Sequence, residues 1–248
     1  MPSIALQLYT LRTETRKDFT GTLRQVAAMG YPAVEFAGYG GLPPEQVRDL
    51  LVELGLEAAS THTSLDALQQ DLPGVIALHQ TIGCHTVTVP SLPPTLRGSA
   101  DGYRQAASTL SAIGQRLSEH DMLLCYHNHA FEFEPQGEQT GFDILYGESD
   151  PRYLHAQLDV YWAAKAGRDP AAIIRHLGPR CALLHIKDMA ADGTFAEVGA
   201  GNLDLRGIMA AGDEVGTRWF IVEQDSCQRP PLEAVRISLE NLRRWGRI

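Results

Sequence analysis

Cysteine is sparse in this 248-residue chain: Cys84, Cys125, Cys181 and Cys227, with no CxxC spacing among them. That excludes a disulfide-built scaffold and leaves reduced thiols, three of them in or beside apolar runs. Positive charge is also short, with 21 Lys and Arg against 30 Asp and Glu, a formal net charge of −9. A surface made to condense on phosphate backbones is therefore not expected, and the densest basic run, Arg243, Arg244 and Arg247, lies in a helical context. No apolar stretch approaches the roughly 20 residues that span a bilayer. The start, Met1-Pro2-Ser3-Ile4-Ala5, lacks the basic and long apolar regions of a signal peptide. A soluble, cytoplasmic protein without nucleic-acid or membrane partners is expected. Phosphate-cradling glycine motifs are missing too: neither GxGxxG nor GxxxxGKS occurs, and Gly38 to Gly41 reads as a flexible loop.

What is present is an ordinary globular composition, 44% hydrophobic and 21% charged, in which short apolar runs alternate with longer amphipathic ones. The strand candidates are Ile4–Leu8, Ala33–Phe36, Glu57–Thr61, Thr86–Val89, Leu123–His127, Leu154–Asp159, Ala182–Ile186 and Trp219–Glu223. Helix candidates fall at Asp18–Met29, Pro44–Glu53, Leu65–Ile82, Gly102–His120, Phe142–Tyr146, Pro170–Leu177, Leu205–Ala211 and Leu232–Arg244. Eight βα units of roughly 30 residues, without a Gly-rich first turn, predict an α/β fold of one domain over residues 1–248: a closed (β/α)₈ TIM barrel.

In such a barrel the active site lies where the strands end. Six of the eight expected strands end in polar groups: Glu35; His62; His127-Asn128-His129; Asp159; His185-Ile186-Lys187-Asp188; and Glu223-Gln224-Asp225. Burying such groups costs several kcal/mol unless they are paired or metal-bound. Their convergence points to a divalent ion on mixed oxygen and nitrogen ligands, Mn²⁺ first, with Mg²⁺, Co²⁺ or Zn²⁺ as alternatives. Such an ion polarises a carbonyl and acidifies the neighbouring C–H, so that a side-chain base can take the proton.

The segments Tyr126-His127-Asn128-His129-Ala130-Phe131-Glu132-Phe133, Leu158-Asp159-Val160-Tyr161-Trp162, Leu184-His185-Ile186-Lys187-Asp188 and Val222-Glu223-Gln224-Asp225, with Gln7-Leu8-Tyr9-Thr10-Leu11-Arg12, carry a family resemblance. They resemble the sugar phosphate isomerase/epimerase family, in its branch with the YHNH segment, within the xylose-isomerase-like barrel superfamily. That group also contains ketose 3-epimerases, inosose dehydratase and endonuclease IV. The resemblance implies a keto-sugar isomerase or epimerase working through an enediolate. Its metal ligands carry over as Asp159, His185 and Glu223. Where family epimerases have a strand-five Glu this chain has His127, so Glu132 is expected to reach back as the fourth ligand, with His127 or His129 as the alternative. Acid/base work would fall to His127, His129 and Glu223, and Lys187 would hold a substrate oxygen or the enolate. Substrate binding would use His62, Trp162 and Lys187, and Glu35 would either bind substrate hydroxyls or partner a polar group of a neighbouring strand.

The strand-five imidazoles equally allow a lyase that begins with the same proton abstraction and expels a β-oxygen substituent. An endonuclease IV-like reading conflicts with the net charge, and a non-catalytic sugar-binding barrel conflicts with the retained Asp159, His185 and Glu223. No Arg/Lys cluster marks a phosphate site near the last two strands, although Arg12 and Arg229 can supply cations; a non-phosphorylated carbohydrate is the expected substrate. Val198 to Leu203 forms either a mobile lid or plain turns. The last helix, with Leu232, Val235, Leu239 and Leu242 at helical spacing, reads as barrel packing and a surface available to a homo-oligomer.

Overall fold

The structure, a computed structural model, describes residues 3–248. Eight strands, β1 Ser3–Gln7, β2 Ala33–Phe36, β3 Glu57–His62, β4 Thr86–Val89, β5 Leu123–His127, β6 Leu154–Asp159, β7 Cys181–Ile186 and β8 Trp219–Val222, form one parallel barrel. It closes where β1 pairs with β8, Leu6 facing Val222. The expected (β/α)₈ architecture is thus the observed one.

Strand alternation sorts the residues into shells. One set, Ile4, Leu6, Val34, Phe36, Leu124, Tyr126, Leu158, Leu184, Ile186 and Phe220, joins the large apolar layer shared with the helices. The opposite set, Ala5, Ala33, Ala59, Cys125, Leu183 and Ile221, forms a small separate cluster inside the barrel. Two residues further along the same inner faces come Gln7, Glu35, His127, His185 and Glu223, all buried. The barrel interior is therefore an apolar plug of mostly small residues beneath a polar layer, and that layer sits at the strand C-termini, where barrel active sites form.

The helices follow local chemistry. Phe19–Met29 starts on Asp18, whose side chain accepts the Gly21 N–H, and stops at Gly30 in the left-handed region. The expected helix Leu65–Ile82 is two, Leu65–Gln70 and Leu72–Ile82. Asp71 leaves the helical conformation between them (φ −147°, ψ 64°) and caps the second by accepting the Gly74 N–H, with a proline in its first turn. Short helices at Arg12–Lys17, Pro94–Arg97 and Val160–Lys165, and two-residue hairpins at 135–140 and 188–196, were not foreseen. In Pro231–Arg244, Val235, Leu239 and Leu242 are buried as expected of barrel packing. Among the described residues no helix is long and apolar enough to cross a membrane.

Candidate metal centre

The polar layer is organised around His185 at the end of β7. Its Nε2 lies 2.6 Å from Glu35 Oε2 and its Nδ1 2.8 Å from Glu223 Oε2. Burial alone would lower the pKa of this ring, but the two flanking carboxylates outweigh it and raise the value to about 10. Glu35 is completely buried and accepts from Gln7 Nε2 (2.5 Å), Gln157 Nε2 (2.5 Å) and His185 Nε2. Burial pushes its carboxyl up, yet His62 and His185 outweigh that and bring it down to about 2. Glu35 was expected either to bind substrate hydroxyls or to partner a polar group of a neighbouring strand. Here both of its oxygens accept from side chains of neighbouring strands.

One ligand atom from each of His127, Asp159, His185 and Glu223 lies within 4.8 Å of the other three, and all four residues are buried. His127 Nδ1 is 3.2 Å from the Pro90 carbonyl, which directs Nε2 toward Asp159 Oδ2 at 3.2 Å. Burial lowers the His127 pKa to about 3, so the ring is neutral at pH 7, the form that ligates metals. Asp159 Oδ1 accepts the Trp162 N–H and caps the helix Val160–Lys165, while Oδ2 faces the cluster. Lys187 Nζ reaches Asp159 Oδ2 (2.9 Å), Glu223 Oε2 (2.6 Å) and Asp225 Oδ1 (2.8 Å). Two carboxylates and two imidazoles, His185 only after giving up a proton to the incoming ion, fit a divalent ion of borderline hardness, without selecting Mn²⁺ from its neighbours. Glu35, His62 and His185 form a second such group, sharing His185 with the first.

Glu132 is not brought into this cluster. Its Oε1 accepts from Tyr126 O–H at 2.5 Å and its Oε2 from the His129 N–H at 2.7 Å, inside the turn Phe131–Phe133. The reason is strand alternation: β5 turns His127 inward, so Tyr126 points outward, and a carboxylate tied to Tyr126 lies behind the strand. His127 stands in the fourth position instead. Burial raises the Glu132 pKa to about 7, against the pull of those two donors.

Above the cluster opens a cavity of about 450 Å³. His62, His127, His129, Trp162, Lys187 and Glu223, all expected at the site, line it. His62 Nε2 lies 2.9 Å from Gln157 Oε1. Burial lowers the His129 pKa to about 4, which keeps the ring neutral at pH 7. Tyr9 and Asp225 also line the cavity, although no role was assigned to them from sequence. Gln7 and Gln157 were missed as well. Each is two residues from an inward-facing neighbour, Ala5 and Asp159, which was a readable signal. The segment after β7 is gathered around Asp188, which accepts from the N–H groups of Met189, Gly199, Gly201 and Leu203.

The profile of the family described as xylose isomerase-like TIM barrel matches residues 23–245, and the chain belongs to that family. Inosose dehydratase of Clostridium tetani is 26% identical over 156 residues, 53% of this chain and 50% of that protein. The inosose dehydratase of Lacticaseibacillus casei is 28% identical over 156 residues, 54% of this chain and 51% of its own length. The chain thus spans about half the length of the curated relatives it matches. Among solved structures, a sugar phosphate isomerase/epimerase from Parabacteroides distasonis superposes with a TM-score of 0.84 over 98% of both chains at 22% identity, a likeness of fold.

Proposed function

We propose that this protein is a divalent-metal-dependent enzyme that removes a proton beside the carbonyl of a keto-sugar and delivers a proton to the neighbouring carbon, as an isomerase, or to the opposite face of the same carbon, as an epimerase. The observation that carries the reading is the convergence of His127, Asp159, His185 and Glu223 at the floor of a sugar-sized cavity. These four residues would hold the ion, and Glu35 would orient His185 from behind, as carboxylates do for metal-binding imidazoles. When bound, the ion supplies Lewis-acid polarisation of the substrate carbonyl.

The remaining work falls to this chain's own groups. His129, neutral and facing the cavity, accepts the proton from carbon. The buried Lys187 ammonium stabilises negative charge developing on the substrate oxygen. His62 binds a hydroxyl, and the Trp162 ring packs against the C–H face of the sugar. The substrate is a non-phosphorylated carbohydrate.

A second reading, elimination of a β-oxygen substituent from the same enediolate, is favoured by two observations. The carboxylate expected after β5 is turned away behind the strand, leaving imidazoles there, and the curated relatives are dehydratases. One experiment addresses both readings. The Mn²⁺-loaded protein is incubated in D₂O with ketoses, 3-keto-glycosides and inososes, followed by proton NMR and mass spectrometry. Deuterium appearing beside the carbonyl, and lost in Asp159→Asn, is the expected result. Retained composition then means isomerase or epimerase, loss of water or aglycone means lyase, and no exchange with any of the three classes refutes the proposal.

A further inference from the structure

Lys187 is 1% exposed, and its ammonium is shared among three carboxylates. Two of its contacts are with the very oxygens that face the cluster imidazoles. Asp159 Oδ2 lies 3.2 Å from His127 Nε2, and Glu223 Oε2 lies 2.8 Å from His185 Nδ1. A divalent ion on those oxygens and an ammonium within 3 Å of the same atoms would repel each other strongly in a buried site. The other Asp159 oxygen already accepts the Trp162 N–H at 3.0 Å, so an ammonium moved there would have to share it with the helix cap.

Asp225 is different. Its carboxylate is already 2.8 Å from Nζ, lines the cavity, and has no part in the four-residue cluster. Its backbone is anchored as well, since its carbonyl accepts Arg12 Nη2 at 2.8 Å.

On the reading that Asp159 and Glu223 are metal ligands, we propose that Lys187 is an internal counter-cation that exchanges with the metal ion, and that Asp225 is the positioning residue that receives its ammonium. In the metal-free protein Lys187 neutralises two buried carboxylates and holds the polar layer together. With the ion in place, the ammonium rests on Asp225 at the cavity wall, where it faces substrate. Asp225 acts through Lys187 and touches no reacting atom.

The test uses the full chain, stripped of metal, titrated with Mn²⁺, Co²⁺ and Zn²⁺ alone by calorimetry, with melting curves in chelator and in metal. Lys187→Met removes the competitor, so its affinity for the ion is expected to rise about tenfold or more. Its metal-free form is expected to melt below wild type, so that metal raises its Tm by more than it raises that of wild type. Asp225→Asn weakens the receiving site, and its metal affinity is expected to fall about tenfold while its metal-free Tm stays close to that of wild type. Unchanged or weaker metal binding by Lys187→Met overturns the proposal. Should that variant not fold, unchanged binding by Asp225→Asn overturns it alone. If wild type binds no ion, or Asp159→Asn binds it as well as wild type, the assignment of the metal ligands fails first and takes the proposal with it.

Discussion

Replacing Glu132 by Gln gives a pH-resolved measurement of what this buried carboxyl costs the fold. Its pKa rises from an ordinary 4.5 to about 7 because burial disfavours the carboxylate more than Tyr126 and the His129 N–H favour it. The folded state therefore holds this proton more tightly than the unfolded state, and between about pH 4.5 and 7 stability falls as pH rises. At about 1.4 kcal/mol per pH unit, the penalty is complete above pH 7 at about 3 kcal/mol. For a chain of this length that is about 6–12 °C in Tm. Glutamine does not titrate, so the variant lacks this slope. It also leaves one of the two donors facing an amide NH₂, which adds a constant offset. The assay is thermal melting of both proteins in chelator from pH 4.5 to 8. The quantity read is the slope of the difference curve, because His127 and His129, with lowered pKa values, contribute a slope of opposite sign common to both proteins. A difference curve flat across this range would refute the reasoning.

Other perturbations separate the layers of the molecule. Glu35→Gln leaves the cavity lining intact but loosens His185, so metal affinity measured by calorimetry should fall about 10–100-fold. Asp188→Ala frees the four backbone donors that pin residues 189–203. It should cost about 2–4 kcal/mol and make that segment the first cut in limited proteolysis. Gly114→Ala would set a Cβ 2.1 Å from the Tyr153 carbonyl oxygen, where helix Ala100–Ser118 meets the loop before β6. Melting should show a loss of about 3–10 °C with metal affinity unchanged.

Much of this architecture is written locally. Ala33–Phe36, Thr86–Val89, Leu123–His127 and Leu154–Asp159 have the same limits in the sequence reading and in the fold, because each apolar run is bounded by turn residues or by the first polar group at the barrel mouth. The break at Asp71 was legible as well, since an Asp followed by Leu-Pro is a helix start. Two site assignments needed spatial information. Glu132 is five residues from His127, and only the outward turn of Tyr126 decides that its carboxylate lies behind β5. For Glu35 the sequence left substrate and a neighbouring strand's polar group both open; its partners come from β1, β6 and β7, and only closure of the barrel brings Gln7, Gln157 and His185 together. Asp225 stood in a motif with its chemistry visible, yet its partner Lys187 is 38 residues away.

The double engagement of Asp159, one oxygen on the cluster and the other on the Trp162 N–H, bears on how variants at this position are interpreted. Alanine there deletes two things at once, a charge among buried cations and the cap of the helix that carries an aromatic wall of the cavity. Asparagine keeps an oxygen for the cap but sets an uncharged NH₂ donor where the charged oxygen faced Lys187 and His127. Selection on this residue therefore answers to two separable demands, and a library scored on turnover alone would merge them. Scoring fold and turnover in parallel would show Asn and Ala diverging on the first axis while coinciding on the second.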